Sequence, residues 1–189
     1  MSESLQEIIT KLWTTPEHAE WIPKTDTVAY SDVQSWMASG DIEILGLTQH
    51  LLSDRRFRIE PSVPIHDYIT FTKHYYERCL LENPAGAWSD SRHSAGMDLV
   101  NLFAHLWRDS SVPRPVLDDL KVWLGRLYKD GDPDLRISMV QATLEHLFEQ
   151  KQIRRFFDDW KNDEVLAVAH EQASDWHQGG GRSPLGKAC

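Results

Sequence analysis

Three segments of the chain carry the same apolar signature at nearly constant spacing: Leu99, Phe103, Leu106 and Trp107; Leu120, Leu124, Leu127 and Tyr128; Val140, Leu144, Leu147 and Phe148. Positions i, i+4, i+7 and i+8 share one face of a helix, and the copies recur after 21 and then 20 residues. Each helix must bury that face, and the neighbouring copies are the nearest surfaces available. The pattern restricts the chain to packed helices.

The remaining segments read similarly. Leu5, Ile8, Ile9 and Leu12 form one face of a short helix over 3–14, and Thr15-Pro16 restarts the chain as an N-cap with Pro at N1. Ser31 is placed to cap a helix carrying Val33, Trp36 and Met37 and closed by Gly40, and Asp41 to cap the next through Leu52. Pro61 and Pro64 bracket Ser62 and Val63, which predicts an extended connector between an N-terminal helical annex, 1–60, and a main helical domain, 63–178. In that domain a helix over 65–81 stops at Asn83, Pro84 and Gly86, and Ser89 or Asp90 caps one running to about Arg108. Pro113 and Pro115 open a helix ending at Gly131, and Asp132-Pro133 opens one through Gln150. Two shorter helices are centred on Phe156 and Val168, and Gly179, Gly180 and Gly181 begin a polar tail, 179–189. No alternating run rich in β-branched residues occurs outside Phe57 to Val63. The expected fold class is all-α, an irregular stack of antiparallel helix pairs with about nine or ten helices.

Composition narrows the partners. With 29 acidic against 20 basic residues, the net charge of −9 repels phosphate backbones, so nucleic acid is not an expected partner. Arg55, Arg56 and Arg58, flanked by Asp54 and Glu60, read as a solvated helix end or a small anion site. No run approaches the ~18 apolar residues of a membrane span. Glu3 and Glu7 stand where a signal peptide would be basic, so a cytoplasmic location is expected. Cys79 within a helix and Cys189 at the last position give a disulfide little support.

From Val116 to Phe148 the chain runs through an apolar helix, the turn Asp130-Gly131-Asp132-Pro133-Asp134, then Leu135-Arg136 and a second apolar helix. This stretch resembles a HEAT repeat, whose helix pair is joined by an Asp- and Pro-containing turn and whose second helix opens with an apolar residue and an Arg. The resemblance implies that Asp132 and Arg136 help tie neighbouring repeats together. It covers about one repeat of the roughly 40-residue period such pairs show. The flanking helices keep the stripe without the turn, so a HEAT-like stack and an irregular helical bundle both fit.

Chemical motifs are scarce. His-Glu-x-x-His is absent, none of the nine histidines pairs with another at i, i+4, and His170 and His177 are two turns apart, so no metal site is expected. Gly-x-Ser-x-Gly and Gly-rich phosphate loops are also missing, and no cofactor is expected. Asp98, Asn101 and His105 form a polar stripe opposite Leu99, Phe103 and Leu106. It reads as the wet side of an amphipathic helix, or as a general-base site with Arg92 holding an anionic substrate. The eight tryptophans are spread over almost every helix, which fits core packing; Trp160 and Trp176, preceded by aspartates, are the best placed to be exposed anchors.

If the second helices of the pairs, 90–108, 134–149 and 163–177, line one face, its outward positions include Asp98, Asn101, His105, Gln141, Glu145, Glu149, Glu171 and Asp175. That surface is mostly acidic and suits a protein with a basic surface. A looser resemblance, carried by no single residue, is to small acidic all-helical bacterial families, some of which are immunity proteins that neutralise toxin domains. The expected function is non-enzymatic binding of such a partner. The alternatives are a small enzyme or ligand-binding bundle centred on Asp98 and His105, and a structural subunit whose exposed Trp and Leu positions form a homodimer seam.

Overall fold

The computed structural model describes residues 5, 7, 10, 26–53 and 57–178. Expectations for Thr15-Pro16, Trp13, Trp21, Arg55, Arg56, Cys189 and the tail 179–189, and for most of the 3–14 helix, lie outside the described residues. So do the side chains of Trp176 and His177. Helix accounts for 77% and strand for 4%, so the protein is all-α, with eight helices among the described residues, slightly fewer than expected. The chain divides into two compact units, Met1–Ser91 and Arg92–Cys189.

In the first unit, β1 (Asp26–Ala29) pairs in parallel with β2 (Phe57–Glu60), Val28 opposite Ile59. Parallel pairing needs a crossover, supplied by α1 (Tyr30–Met37) and α2 (Ile42–Ser53). Sequence periodicity gave no sign of β1, and the strand changes how α1 begins: the N-cap is Ala29, not Ser31, and no side chain caps the helix. Asp41 does cap α2, its carboxylate accepting from Glu43 N at 2.9 Å. Leu5, Val28, Tyr30, Val33, Leu47 and Leu51 form a buried cluster. Helix α3 (Ile65–Glu82) ends at Asn83, whose φ of 44° places it in the left-handed region that Asn tolerates. The segment after α3 is fastened by side chains. Glu43 accepts from Ala87 N and Trp88 N, both at 2.9 Å, and from Ser89 Oγ at 2.5 Å, while Tyr75 donates to Asp90 at 2.8 Å. Ser89 and Asp90 are thus engaged backwards, and the next helix starts two residues later than Asp90, at Arg92.

The second unit contains the apolar stripe. Its helices are α4 (Arg92–Arg108), α5 (Arg114–Asp130), α6 (133–148), α7 (Lys151–Phe156) and α8 (Glu164–Gln178), with a 3-10 turn at Asp158–Asn162. All twelve stripe residues except the half-buried Trp107 are buried. Helix α6 is continuous but widens to a π-helical turn over Val140–Leu144, the kind of insertion often found at functional positions. A ring of aromatics closes the core: Phe157 lies 5.7 Å from Phe103, 5.5 Å from Phe148 and 4.8 Å from Trp160 between ring centroids. Trp160 is 4% exposed, so it is a core residue and not an exposed anchor. Among the described residues, no helix is long and apolar enough to cross a membrane.

Candidate protein-binding face

Helices α4, α6 and α8 pack side by side, α6 in the middle. Only narrow strips of each reach solvent. On α4 the strip includes Met97, Asn101 and His105; on α6 it is Ile137, Gln141, the half-buried Glu145 and Glu149; on α8 it includes Val168, Glu171 and Asp175. Asn101, His105, Gln141, Glu149, Glu171 and Asp175 are therefore exposed, while Asp98 and Glu145 are half-buried.

Two contacts join these helices. Between α4 and α6, Thr143 Oγ1 donates to Gly96 O at 3.0 Å, and a Cβ on Gly96 would meet Ala142 Cβ at 2.7 Å. Glycine is needed there for the backbones to approach. Met97 and Gln141, next in sequence to Gly96 and Ala142, are exposed. Between α6 and α8, the rings of Phe148 and His170 lie 5.0 Å apart, and the residues that follow them, Glu149 and Glu171, are exposed. The charge is unevenly spread. Helix α8 carries three acids and neither Lys nor Arg, whereas α4 carries one acid and two Arg.

The turn into α6 is built as its residues suggest. Asp132 caps the helix, accepting from Leu135 N at 2.6 Å. Arg136 turns back onto α5, donating to Tyr128 O at 2.8 Å and to Lys129 O at 2.6 Å. These carbonyls in the last turn of α5 lack partners within the helix, so the guanidinium satisfies them and its charge lies at the favourable end of the dipole. Asp132 also stands 4.0 Å from Arg92, a long ion pair between the starts of α6 and α4.

A cleft of about 400 Å³ opens beside α8, lined by Arg154, Lys161, Ala167, His170, Glu171, Ser174 and Asp175. His170 is a core residue that no motif or spacing marks in the sequence: it is 4% exposed, and its Nε2 lies 3.6 Å from Asp158 Oδ1, too far for a hydrogen bond. Burial pushes its pKa below the usual histidine value; Lys161 acts in the same direction and Asp158 against it. Lys161 donates to Asp158, which holds that carboxyl below its ordinary range. Arg154 and Lys161 thus give the α8 edge of the acidic face some positive charge.

His105 is exposed on the α4 strip, and Asp98, His105 and Arg92 line neither this cleft nor a second one in the first unit. The other cleft, about 370 Å³ in the first unit, is lined in part by Tyr30, Met37, His66, Asp67 and Phe71. There the Tyr30 hydroxyl donates to Asp67, and that bond leads the effects that raise the tyrosine pKa. Cys79 is buried, and burial pushes its thiol up to about 12, which removes it as a nucleophile. Among the described residues no group of three His, Cys, Asp or Glu side chains could hold a metal ion. No protein-family model matches this chain, and no curated protein or solved structure is significantly similar to it.

Proposed function

We propose that the chain is a non-enzymatic protein-binding protein that engages a basic partner through the outward strips of α4, α6 and α8. The observation that carries this reading is the exposure of Glu149 on α6 and of Glu171 and Asp175 on α8, two helices that pack against each other. Glu145 lies one turn from Glu149, so four carboxylates are spread over two adjacent helices. Such a field steers a basic surface and favours correct over incorrect partners. A basic toxin domain neutralised by an immunity-type protein is one partner of this chemistry. The α5–α6 pair is read as one HEAT-like repeat, supported by the bonds of Asp132 and Arg136 across its turn.

The test is capture of partners by the full chain and by Glu145→Lys/Glu149→Lys/Glu171→Lys, with Asp118→Lys/Asp119→Lys/Asp130→Lys on α5 as a charge-matched control. The expected result is a basic protein held by the wild type and the control, released by salt, and lost in the triple glutamate variant while its circular dichroism is unchanged. Equal capture by all three chains would remove this face from consideration.

A further inference from the structure

The acidic strips also contain apolar side chains that the fold leaves uncovered. Of the large hydrophobic residues exposed in the second unit, four of five lie on the α4, α6 and α8 strips: Met97 at 36%, Ile137 at 54%, Val165 at 37% and Val168 at 47%. Each of the three helices contributes at least one. On α6, Ile137 is followed at helical spacing by Gln141, Glu145 and Glu149; on α8, Val168 is followed by Glu171 and Asp175. On α6 and α8 the acidic positions Glu145, Glu149, Glu171 and Asp175 thus follow the apolar Ile137 and Val168, whereas the α4 strip ends in His105. Met97 follows Gly96, where α4 packs closely against Ala142 and Thr143 of α6.

Building on the acidic-face reading, we infer that the occupant of this surface is an amphipathic, lysine- or arginine-bearing helix of the partner, its apolar side on Met97, Ile137 and Val168 and its cations on Glu145, Glu149 and Glu171. Charge complementarity selects a basic occupant. The exposed strips offer helix grooves and no strand edge, which favours a helix with anchors at i, i+3, i+4 and i+7 over an extended peptide. A second copy of this chain is disfavoured because it would bring the same carboxylates against each other.

The probe is a synthetic Leu/Lys/Ala peptide of about 18 residues ordered as an amphipathic helix, compared with a scrambled peptide of the same composition, both labelled for fluorescence anisotropy against the full chain. The ordered peptide is expected to bind at least about tenfold more tightly than the scrambled one. Ile137→Ser/Val168→Ser, at exposed positions that leave folding intact, is expected to abolish that difference, while Glu145→Lys/Glu149→Lys weakens both peptides. Equal binding of the two peptides, with no effect of the serine substitutions, would overturn the helix-docking inference. The acidic-face reading would survive that outcome if charge reversal still weakened both peptides. Failure of both peptides to bind would also overturn the inference, and the acidic-face reading would then stand or fall on the partner-capture assay.

Discussion

An alanine at Gly96 is expected to destabilise the second unit, against the ordinary preference of helices. In an open helix, Gly→Ala stabilises by about 1 kcal/mol. At position 96 the new Cβ would stand 2.7 Å from Ala142 Cβ, an atom that cannot rotate away. Helices α4 and α6 must therefore separate by about 1 Å to restore an ordinary carbon–carbon contact. Overpacking of this kind costs about 1–3 kcal/mol. Stretching the 3.0 Å bond from Thr143 Oγ1 to Gly96 O adds about 1 kcal/mol. Set against the propensity gain, the net loss is about 1–3 kcal/mol. Urea unfolding followed by tryptophan fluorescence and far-UV circular dichroism measures it. Gly40→Ala is the control, because a Cβ there meets nothing within 4 Å. A Gly96→Ala chain as stable as the wild type, or more so, would refute the close approach of α4 and α6.

Arg136→Ala should cost about 1–2 kcal/mol through its two bonds to the end of α5, and Arg136→Lys should not restore the loss, since a point charge cannot reproduce the guanidinium's two-pronged donation; thermal unfolding of the pair decides. Burial alone would raise the pKa of Glu43, but bonds from the Ser89 hydroxyl and the amides of residues 87–89 hold it below the ordinary value. Its stabilisation is thus present above the unfolded-state pKa near about 4.3 and lost as pH falls through the lower folded value. Amide exchange at residues 87–89 should accelerate over that window in the wild type, and already at neutral pH in Glu43→Gln. His170 has a depressed folded pKa, so it contributes stability above the unfolded value near about 6.5 that is lost as pH falls from there through the folded value. Between about pH 7.5 and about pH 5.5 the wild type should lose more stability than His170→Phe, and parallel curves would rule out a buried neutral His170.

The helical class was legible because each stripe is a physical demand: Leu120, Leu124 and Leu127 recur at the spacing that a buried face requires, and they are buried. Caps carried by a side chain at the turn itself, Asp41 and Asp132, were equally legible. What escaped were features set by partners distant in sequence. The β1 strand is four residues long, leaves no periodic trace, and exists because residues 57–60 lie alongside it. Ser31 lost its capping role because that strand runs straight into α1. Trp160 looked exposed beside Asp158 and Asp159, yet a 3-10 turn places residues three apart on one side, so Phe157 and Trp160 face inward while the aspartates face water. At the candidate face the exposure of Asn101, His105, Gln141, Glu149, Glu171 and Asp175 was legible, and the unevenness of the charge was not. Arg154 and Lys161 reach the α8 edge from the segment between α6 and α8, and the exposed Ile137 and Val168 fell outside the polar positions the sequence reading selected.

The face is tested most directly by amide hydrogen exchange on the full chain, alone and with the basic protein it captures. The expected result is slower exchange on binding over 137–149 and 168–175, with residues 26–91 unchanged. Protection confined to 26–91, with α6 and α8 exchanging as in the free chain, would contradict the assignment of function to this surface.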